Sequence, residues 1–468
     1  MRIACAIWLL SLGLAEAQAQ PKRVLIVAGP PSHGPGVHRF PAGAELLAEA
    51  VNRSGADVRA EAVVGWPSDP GRVGSADLVV LYSDGLGDHV AKGRAADLRA
   101  RWQAGRALAV LHFALEPPED EPELARLLSD AVGGRFEADW SVNPVWRLQA
   151  APEPSHPAAG GVGPIDIEDE WYFHLRLRPD VRPLLAAEPP AAVVQQDGPR
   201  SGNPAVRAAL ARGERQVVAW TVESDAGARG FGFTGGHAHR HWYDTNQRRL
   251  VVNALLWTLH LEIPPGGFAL SSPTVPLHGT IDEAVARGDQ ADVRRHLAAD
   301  PARVHGAPGA KLNPLHQAIL RKQTPIALLL LSRGADPKVP DSSGRTPLHL
   351  AVDRADLDVV WALLANGADP AVRDKIGWTP LHHAAAKDQV RIAQTILDAG
   401  LDPNVRSERG GTPLHEAAAS GGAELAKLLL ARGTDPAIRS ATGATALDIA
   451  REFGNEAAIA VLESAAAK

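Results

Sequence analysis

The 468-residue sequence contains a single cysteine, Cys5, and it lies within the first twenty residues. That stretch, MRIACAIWLLSLGLAEAQAQ, has a basic Arg2, an apolar core from Ile3 to Leu14 and small-residue A-E-A and A-Q-A cleavage patterns, the order expected of a secretory signal over residues 1–19. Cys5 precedes the end of the apolar core and is badly placed for lipid attachment. Cleavage between residues 18 and 21 therefore leaves a mature chain with no cysteine, which excludes disulfides, thiolate metal ligands and a cysteine nucleophile together. The apolar core of about a dozen residues falls short of the roughly 20 needed to span a bilayer, so no stable membrane anchor is expected after cleavage. An exported protein, periplasmic or extracellular, is the expectation. Charge excess is lacking as well: the formal net charge is −6 and the pI about 6.3, which gives no reason to expect nucleic acid or an anionic membrane surface as partner. No G-x-S-x-G elbow occurs either. With 45% hydrophobic and 22% charged residues, the remainder has ordinary globular composition and length for two or three domains.

From residue 22 to residue 264 buried strand patterns alternate with amphipathic helices. RVLIVAG is a continuous apolar run ending in glycine, as a parallel strand covered on both faces requires, and AGAELLAEAVNRSG continues at helical spacing to Gly55. ADLVVLYSDG and RALAVLHFAL repeat the strand signature around the helical GRAADLRARWQAG. DTNQRRLVVNALLWTLHLEIP reads as a closing helix with Arg248 and Arg249 on its solvated side. Such βαβ units predict an α/β fold, a doubly wound parallel sheet with ligands at the carboxyl ends of its strands.

Histidines collect at those ends. GPPSHGPGVHRF follows the first strand with His33 and His38, AVLHFAL ends a later one at His112, and RGFGFTGGHAHRHWYD turns at Gly235-Gly236 and releases His237, His239 and His241. If the last segment is extended all three rings share a face, whereas in a helix only His237 and His241 do. A histidine-rich surface loop is the alternative. Convergence favours a site, because imidazole is the side chain whose proton moves near neutral pH.

VLIVAGPPSHGPGVHRF, AVLHFA, IEDEWYF and FGFTGGHAHRHWYDTNQRRLVVNALLWTL, in that order, resemble the ThuA-like (trehalose utilisation) family over nearly all of residues 22–262. The resemblance implies a fold similar to class I glutamine amidotransferases, a flavodoxin-like α/β sandwich. Amidotransferases carry a nucleophilic cysteine on the sharp turn after a central strand, where this chain has Leu111-His112-Phe113, so thioester chemistry on glutamine is excluded. The resemblance also brings Glu170 into the pocket, with Trp171 and Tyr172 as stacking faces for a sugar. His112, Glu170 and His237 are the expected catalytic groups, and His33, His38, Trp171, Tyr172, His239 and His241 the substrate-binding ones. His33, His112, Glu170, His237 and His239 are expected within one pocket, with His38 and His241 at its rim. If a metal is bound, imidazoles with one carboxylate suit Zn, Mn or Fe rather than Ca or Mg. If none is bound, Glu170 is the expected base and a histidine the acid.

A Pro/Gly/Ser-rich linker is expected over residues 265–276. Beyond it Asn313, Thr346, Thr379, Thr412 and Thr445 recur every 33 residues, the first four followed by Pro-Leu-His. That is the ankyrin period and motif, giving six repeats over residues 277–468 with divergent ends and, running back one period, a first unit at Thr280. The motif histidines are expected to serve helix starts, not catalysis. Such a stack works as a binding surface for a protein partner. Two readings follow: an exported carbohydrate-active enzyme, a hydrolase, lyase or isomerase on a disaccharide or keto-sugar, or a non-catalytic carbohydrate-binding scaffold that recruits partners through its repeats.

Overall fold

A computed structural model describes residues 20–33, 36–198, 200–307, 312–420 and 422–466; the expected secretory signal lies outside them. The chain divides into two units, Met1–Pro273 and Thr274–Lys468. Among the described residues no helix is long and apolar enough to cross a membrane.

The first unit contains, in chain order, β1 Lys22–Ala28, β2 Val58–Val64, β3 Leu78–Tyr82, β4 Ala107–Leu111, β5 Gly134–Arg135, β6 Val145–Ala150, β7 Ile165–Glu170, β8 Arg176–Leu177, β9 Arg182–Ala187, β10 Gln216–Glu223 and β11 Arg229–Phe233. A seven-stranded sheet has the order β2-β1-β3-β4-β11-β10-β9. Its first five strands are parallel neighbours, while β10 and β9 extend it antiparallel, so the sheet is mixed and not wholly parallel. With β11 as the fifth parallel strand, the order is the 2-1-3-4-5 of flavodoxin-like folds. β3 and β4, all apolar except the hydroxyl of Tyr82, are buried at every position, as central strands flanked by helices must be. β2, VRAEAVV, is half-exposed at the edge, and its polar residues hide it from a search for apolar runs. β6 and β7 form a separate antiparallel ribbon with alternate residues buried. The carboxyl ends of β1, β3, β4 and β11 meet at one edge of the main sheet, and the end of β7 reaches the same place.

The closing helix is Thr245–Thr258, capped by Asp244, whose carboxylate accepts from Gln247 N at 2.7 Å. Arg248 is not solvated as expected. It is 3% exposed and donates to Trp242 O at 2.7 Å, holding the turn that precedes the helix. The stretch expected as linker begins packed: Phe268 N donates to Asn253 Oδ1 at 3.2 Å, and a Cβ on Gly267 would stand 2.4 Å from Gly160 O.

Among its described residues the second unit has six helix pairs, from Ile281–Arg287 with Gln290–Ala299 to Ala446–Glu452 with Glu456–Ala466. In the inner repeats Thr346 N donates to His349 Nδ1, Thr379 N to His382 Nδ1 and Thr412 N to His415 Nδ1, each at 3.1–3.2 Å. Because those Nδ1 atoms accept, Nε2 carries the proton, and it reaches the next repeat at Trp378 O, Gly411 O and Ala444 O. Each of these three histidines thus caps its own helix and staples its repeat to the following one.

Candidate functional site

The histidine-bearing turns adopt backbone conformations that non-glycine residues seldom take. His33, His38 and His112 have φ of 64°, 45° and 56°. For His112 this is the sharp turn where β4 breaks into a short 3₁₀ segment, His112–Leu115. Such strain persists where surrounding structure over-determines it, and it clusters at functional sites.

Asp169 governs the turn after β11. Its carboxylate, 2% exposed, accepts from Gly236 N at 3.1 Å and Ala238 N at 3.3 Å and lies 3.0 Å from His241 Nδ1. Gly236 has φ 104°, and Tyr82 Oη donates to its carbonyl at 2.6 Å. The turn is also paired with the loop after β1: His38 N donates to His237 O, and His239 N to Gly36 O, both at 3.0 Å. These bonds carry His38 and His237 to the end of β4.

Four ligand-capable atoms meet there, from His38, His112, Glu170 and His237, all within 4.8 Å of one another. His38 Nε2 is 3.0 Å from His237 Nδ1 and 3.2 Å from His112 Nε2. Glu170 Oε2 is 3.1 Å from His237 Nδ1 and 3.7 Å from His112 Nε2. Donors at the corners of a tetrahedron with bonds of about 2.0–2.1 Å stand about 3.3 Å apart, inside the observed range.

Proton placement strengthens the fit. His112 Nδ1 lies 3.0 Å from Thr234 O, which can only accept, so Nδ1 holds the proton and Nε2 presents a lone pair. His38 Nδ1 lies 2.9 Å from Asp84 Oδ1 and 3.0 Å from Ser32 Oγ, and Asp84 is held below the usual carboxylate range by His38 and Ser32 despite burial. In the neutral ring with its proton toward Asp84, His38 Nε2 is a lone pair as well. Two lone pairs at 3.2 Å beside a carboxylate describe a cation site, with Asp84 and Thr234 O orienting the rings in the way outer partners of metal-bound histidines do. Burial pushes His112 down to about 4, so the ring is neutral, as a ligand must be. Burial also acts to raise Glu170 and lower His237, but the hydrogen bond between them wins, placing Glu170 below and His237 above their ordinary values. Asn143 Nδ2 donates to the other Glu170 oxygen at 2.9 Å, and Tyr172 Oη to Oε2 at 3.3 Å. His38 and His112 are buried while the Glu170 and His237 side chains are 19% and 21% exposed, so the group opens on the latter side.

Several expected placements change. His38 moves from the rim to the centre, because the loop after β1 folds back onto the β11 turn. His239 is not one of the four: the chain leaves the extended form at Ala238 and enters the 3₁₀ turn His239–Tyr243, which packs the His239 ring edge-on against Tyr243. The same turn commits His241 to Asp169. His33, expected inside the pocket, lies instead at its rim, 54% exposed and 4.0 Å from Asp84, in a second, smaller group with His38 and Asp84. Trp171 offers no face to a sugar. It is fully buried against Phe233, with Nε1 donating to Ile167 O. Tyr172, also fully buried, lies with its ring centroid 5.0 Å from that of His112. Glu170 arrives from the β6–β7 ribbon and not from the main sheet. Asp84, Asp169 and Asn143 escaped the sequence reading; an acid directly after the LVVLYS strand was the available signal for Asp84.

Residues 23–258 match the family model described as trehalose utilisation (ThuA), and the ranges 282–374, 315–407, 356–440 and 381–468 match that of ankyrin repeats (3 copies). No curated protein matches the chain. The fold, the four elements that quote the family's motifs and the matched range agree: the chain belongs to the trehalose-utilisation (ThuA) family, and its ThuA domain is followed by ankyrin repeats.

Proposed function

We propose that the ThuA domain holds a divalent transition metal through His38, His112, His237 and Glu170 and processes a carbohydrate there, a disaccharide or keto-sugar. The observation that carries this reading is the convergence of three imidazoles and a carboxylate, their ligand-capable atoms within 4.8 Å of one another. Three nitrogens and one oxygen suit Zn, Mn or Fe better than the oxygen-seeking Ca or Mg. Bound there, such an ion supplies Lewis acidity toward a carbonyl or hydroxyl oxygen of the substrate. Asp84 and Thr234 O keep the protons on Nδ1 of His38 and His112, so both Nε2 atoms face inward. Asn143 and Tyr172 hold the Glu170 carboxylate in place. His33, the exposed imidazole of the group, is positioned to exchange a proton with a substrate at the rim. A purely sugar-binding site is less well supported, since the two aromatics expected to stack on a sugar are both fully buried.

The same reading places the mature protein outside the cytoplasm, on the pattern of residues 1–19, and gives the repeats a protein partner. Metal analysis of the purified chain with a panel of disaccharides and their keto derivatives tests it. One equivalent of a transition metal and metal-dependent turnover support the reading; a metal-free protein that binds sugar without changing it contradicts it.

A further inference from the structure

Beside the four converging residues the ThuA domain has a cavity of about 370 Å³, walled by the amides of Asn143, Gln195 and Gln196, by Arg200 and by Ser201. Its remaining wall residues carry no charge. Asn143 joins the cavity to the metal group, because the amide that lines it also donates to Glu170 Oε1 at 2.9 Å.

Arg200 is fixed there by its backbone and by Glu116. It takes φ 72°, seldom adopted outside glycine, and its carbonyl accepts from Asn143 N at 3.0 Å. Its Nε and Nη2 donate to the two oxygens of Glu116 at 3.2 and 2.6 Å, and the Glu116 side chain is only 4% exposed. The other three N–H groups of the guanidinium meet no acceptor among the described residues, while the Arg200 side chain is 34% exposed. Its Cζ stands 5.8 Å from the Phe113 ring, whose centroid is 6.3 Å from that of His38 and 6.1 Å from that of Tyr172. Glu170 is near enough to act on it through its charge.

The charge of Arg200 is matched by Glu116, so the cavity offers hydrogen bonds without net charge. A phosphate or carboxylate there would need a further cation to offset its desolvation, and none lines the wall. Neighbouring hydroxyls need only donors and acceptors held at fixed positions, which a guanidinium edge, three amides and a hydroxyl supply. The volume, at the low end for ligand pockets, takes one sugar ring and not two.

We infer that this cavity is the subsite for the non-reacting unit of a neutral di- or oligosaccharide, with Arg200, Gln195 and Gln196 hydrogen-bonding its hydroxyls while the adjoining unit lies at the metal group. The inference rests on the carbohydrate reading of that group and adds the residues that choose the substrate. Arg200 is then a specificity-determining residue, selecting neutral sugars over uronates and sugar phosphates.

Calorimetric titration of the full-length protein with a panel of neutral di- and trisaccharides, and of their uronate- and phosphate-bearing counterparts, tests this. Neutral sugars should bind in preference to the acidic ones. Arg200→Lys keeps a cation beside Glu116 but removes the outward guanidinium edge, and should weaken binding about threefold to tenfold, as loss of a hydrogen bond to a neutral oxygen does. Gln195→Ala combined with Gln196→Ala, which leaves the Arg200–Glu116 pair untouched, should weaken it in the same way. Arg212→Gln, at an exposed arginine paired with Glu214, should leave affinity unchanged. Equal thermal midpoints for wild type and Arg200→Lys exclude unfolding as the cause. A preference for acidic sugars, or neutral sugars that bind Arg200→Lys and the double glutamine variant as tightly as wild type, overturns the inference while leaving the carbohydrate reading standing; failure of every sugar to bind overturns both.

Discussion

His38 Nε2 and His112 Nε2 face each other at 3.2 Å, and the other nitrogen of each ring is already committed, to Asp84 and to Thr234 O. No arrangement of two neutral imidazoles puts a proton between those atoms without breaking one of the outer bonds. With both rings neutral the four groups could hold a cation, and the outer partners that set the tautomers then matter as much as the inner four.

Replacing Asp84 by Asn tests the outer partner of His38. The substitution keeps the shape but removes the charge that fixes the tautomer, and loss of such a partner costs about 10–100-fold in metal affinity. Chelator competition on the loaded protein should show that loss with an unchanged circular dichroism spectrum. Affinity equal to wild type would mean that Asp84 does not orient the ring.

Asp169 is expected to matter through the turn it holds. Asp169→Ala leaves two buried peptide N–H groups and His241 without their acceptor, a change of about 3 kcal/mol or more. Urea unfolding of the ThuA domain should report it, together with reduced metal affinity because His237 rides on that turn. A loss below about 1 kcal/mol would show that the turn is held by its glycines and by Tyr82 instead.

Acid should weaken the repeats. Burial holds His349 and His382 at about 4, and it lowers His316 and His415 in the same direction. Between about pH 6.5, where an unfolded histidine titrates, and pH 4 the unfolded chain binds protons that these folded rings refuse. Stability is therefore lost as the pH falls through that window, by up to about 2 kcal/mol at pH 5 for each of the two strongest cases. His383 acts oppositely: although burial lowers it, Asp353 and Asp374 raise it, so its contribution is present in acid and fades as the pH rises through its raised value. Four rings against one predict a lower urea midpoint at pH 5 than at pH 7, and an equal or higher one would contradict the burial of these rings in the folded repeats.

Residues 277–468 are expected to fold alone, since the six repeats share one continuous apolar core from Ile281 to Leu462. Expressed by themselves they should be helical and unfold cooperatively. A fragment that stays disordered would show dependence on the first domain.

The sequence carried the repeats almost completely, because a 33-residue period repeats cap, proline and histidine together and each signal confirms the others. The central strands β1, β3 and β4 were equally legible as apolar runs, whereas the edge strand β2 was not, since half-exposed strands mix polar residues into the pattern. For the site, the sequence named all four converging residues but misjudged depth. His38 and His239 exchanged places because a loop with left-handed residues at His33 and His38 folds back, and because a 3₁₀ turn at His239 ends the alternation that a strand would have continued. Trp171 was credited with a role that its position beside Glu170 suggested, although the alternation of the β7 ribbon sends it into the core.

X-ray absorption at the metal edge of the purified, metal-replete protein tests the central claim most directly. The account predicts one transition-metal ion per chain with three imidazole nitrogens and one carboxylate oxygen at about 2.0–2.2 Å, and loss of that spectrum in His38→Ala and His112→Ala. A protein that retains no such ion, or a spectrum that survives both substitutions, would contradict it.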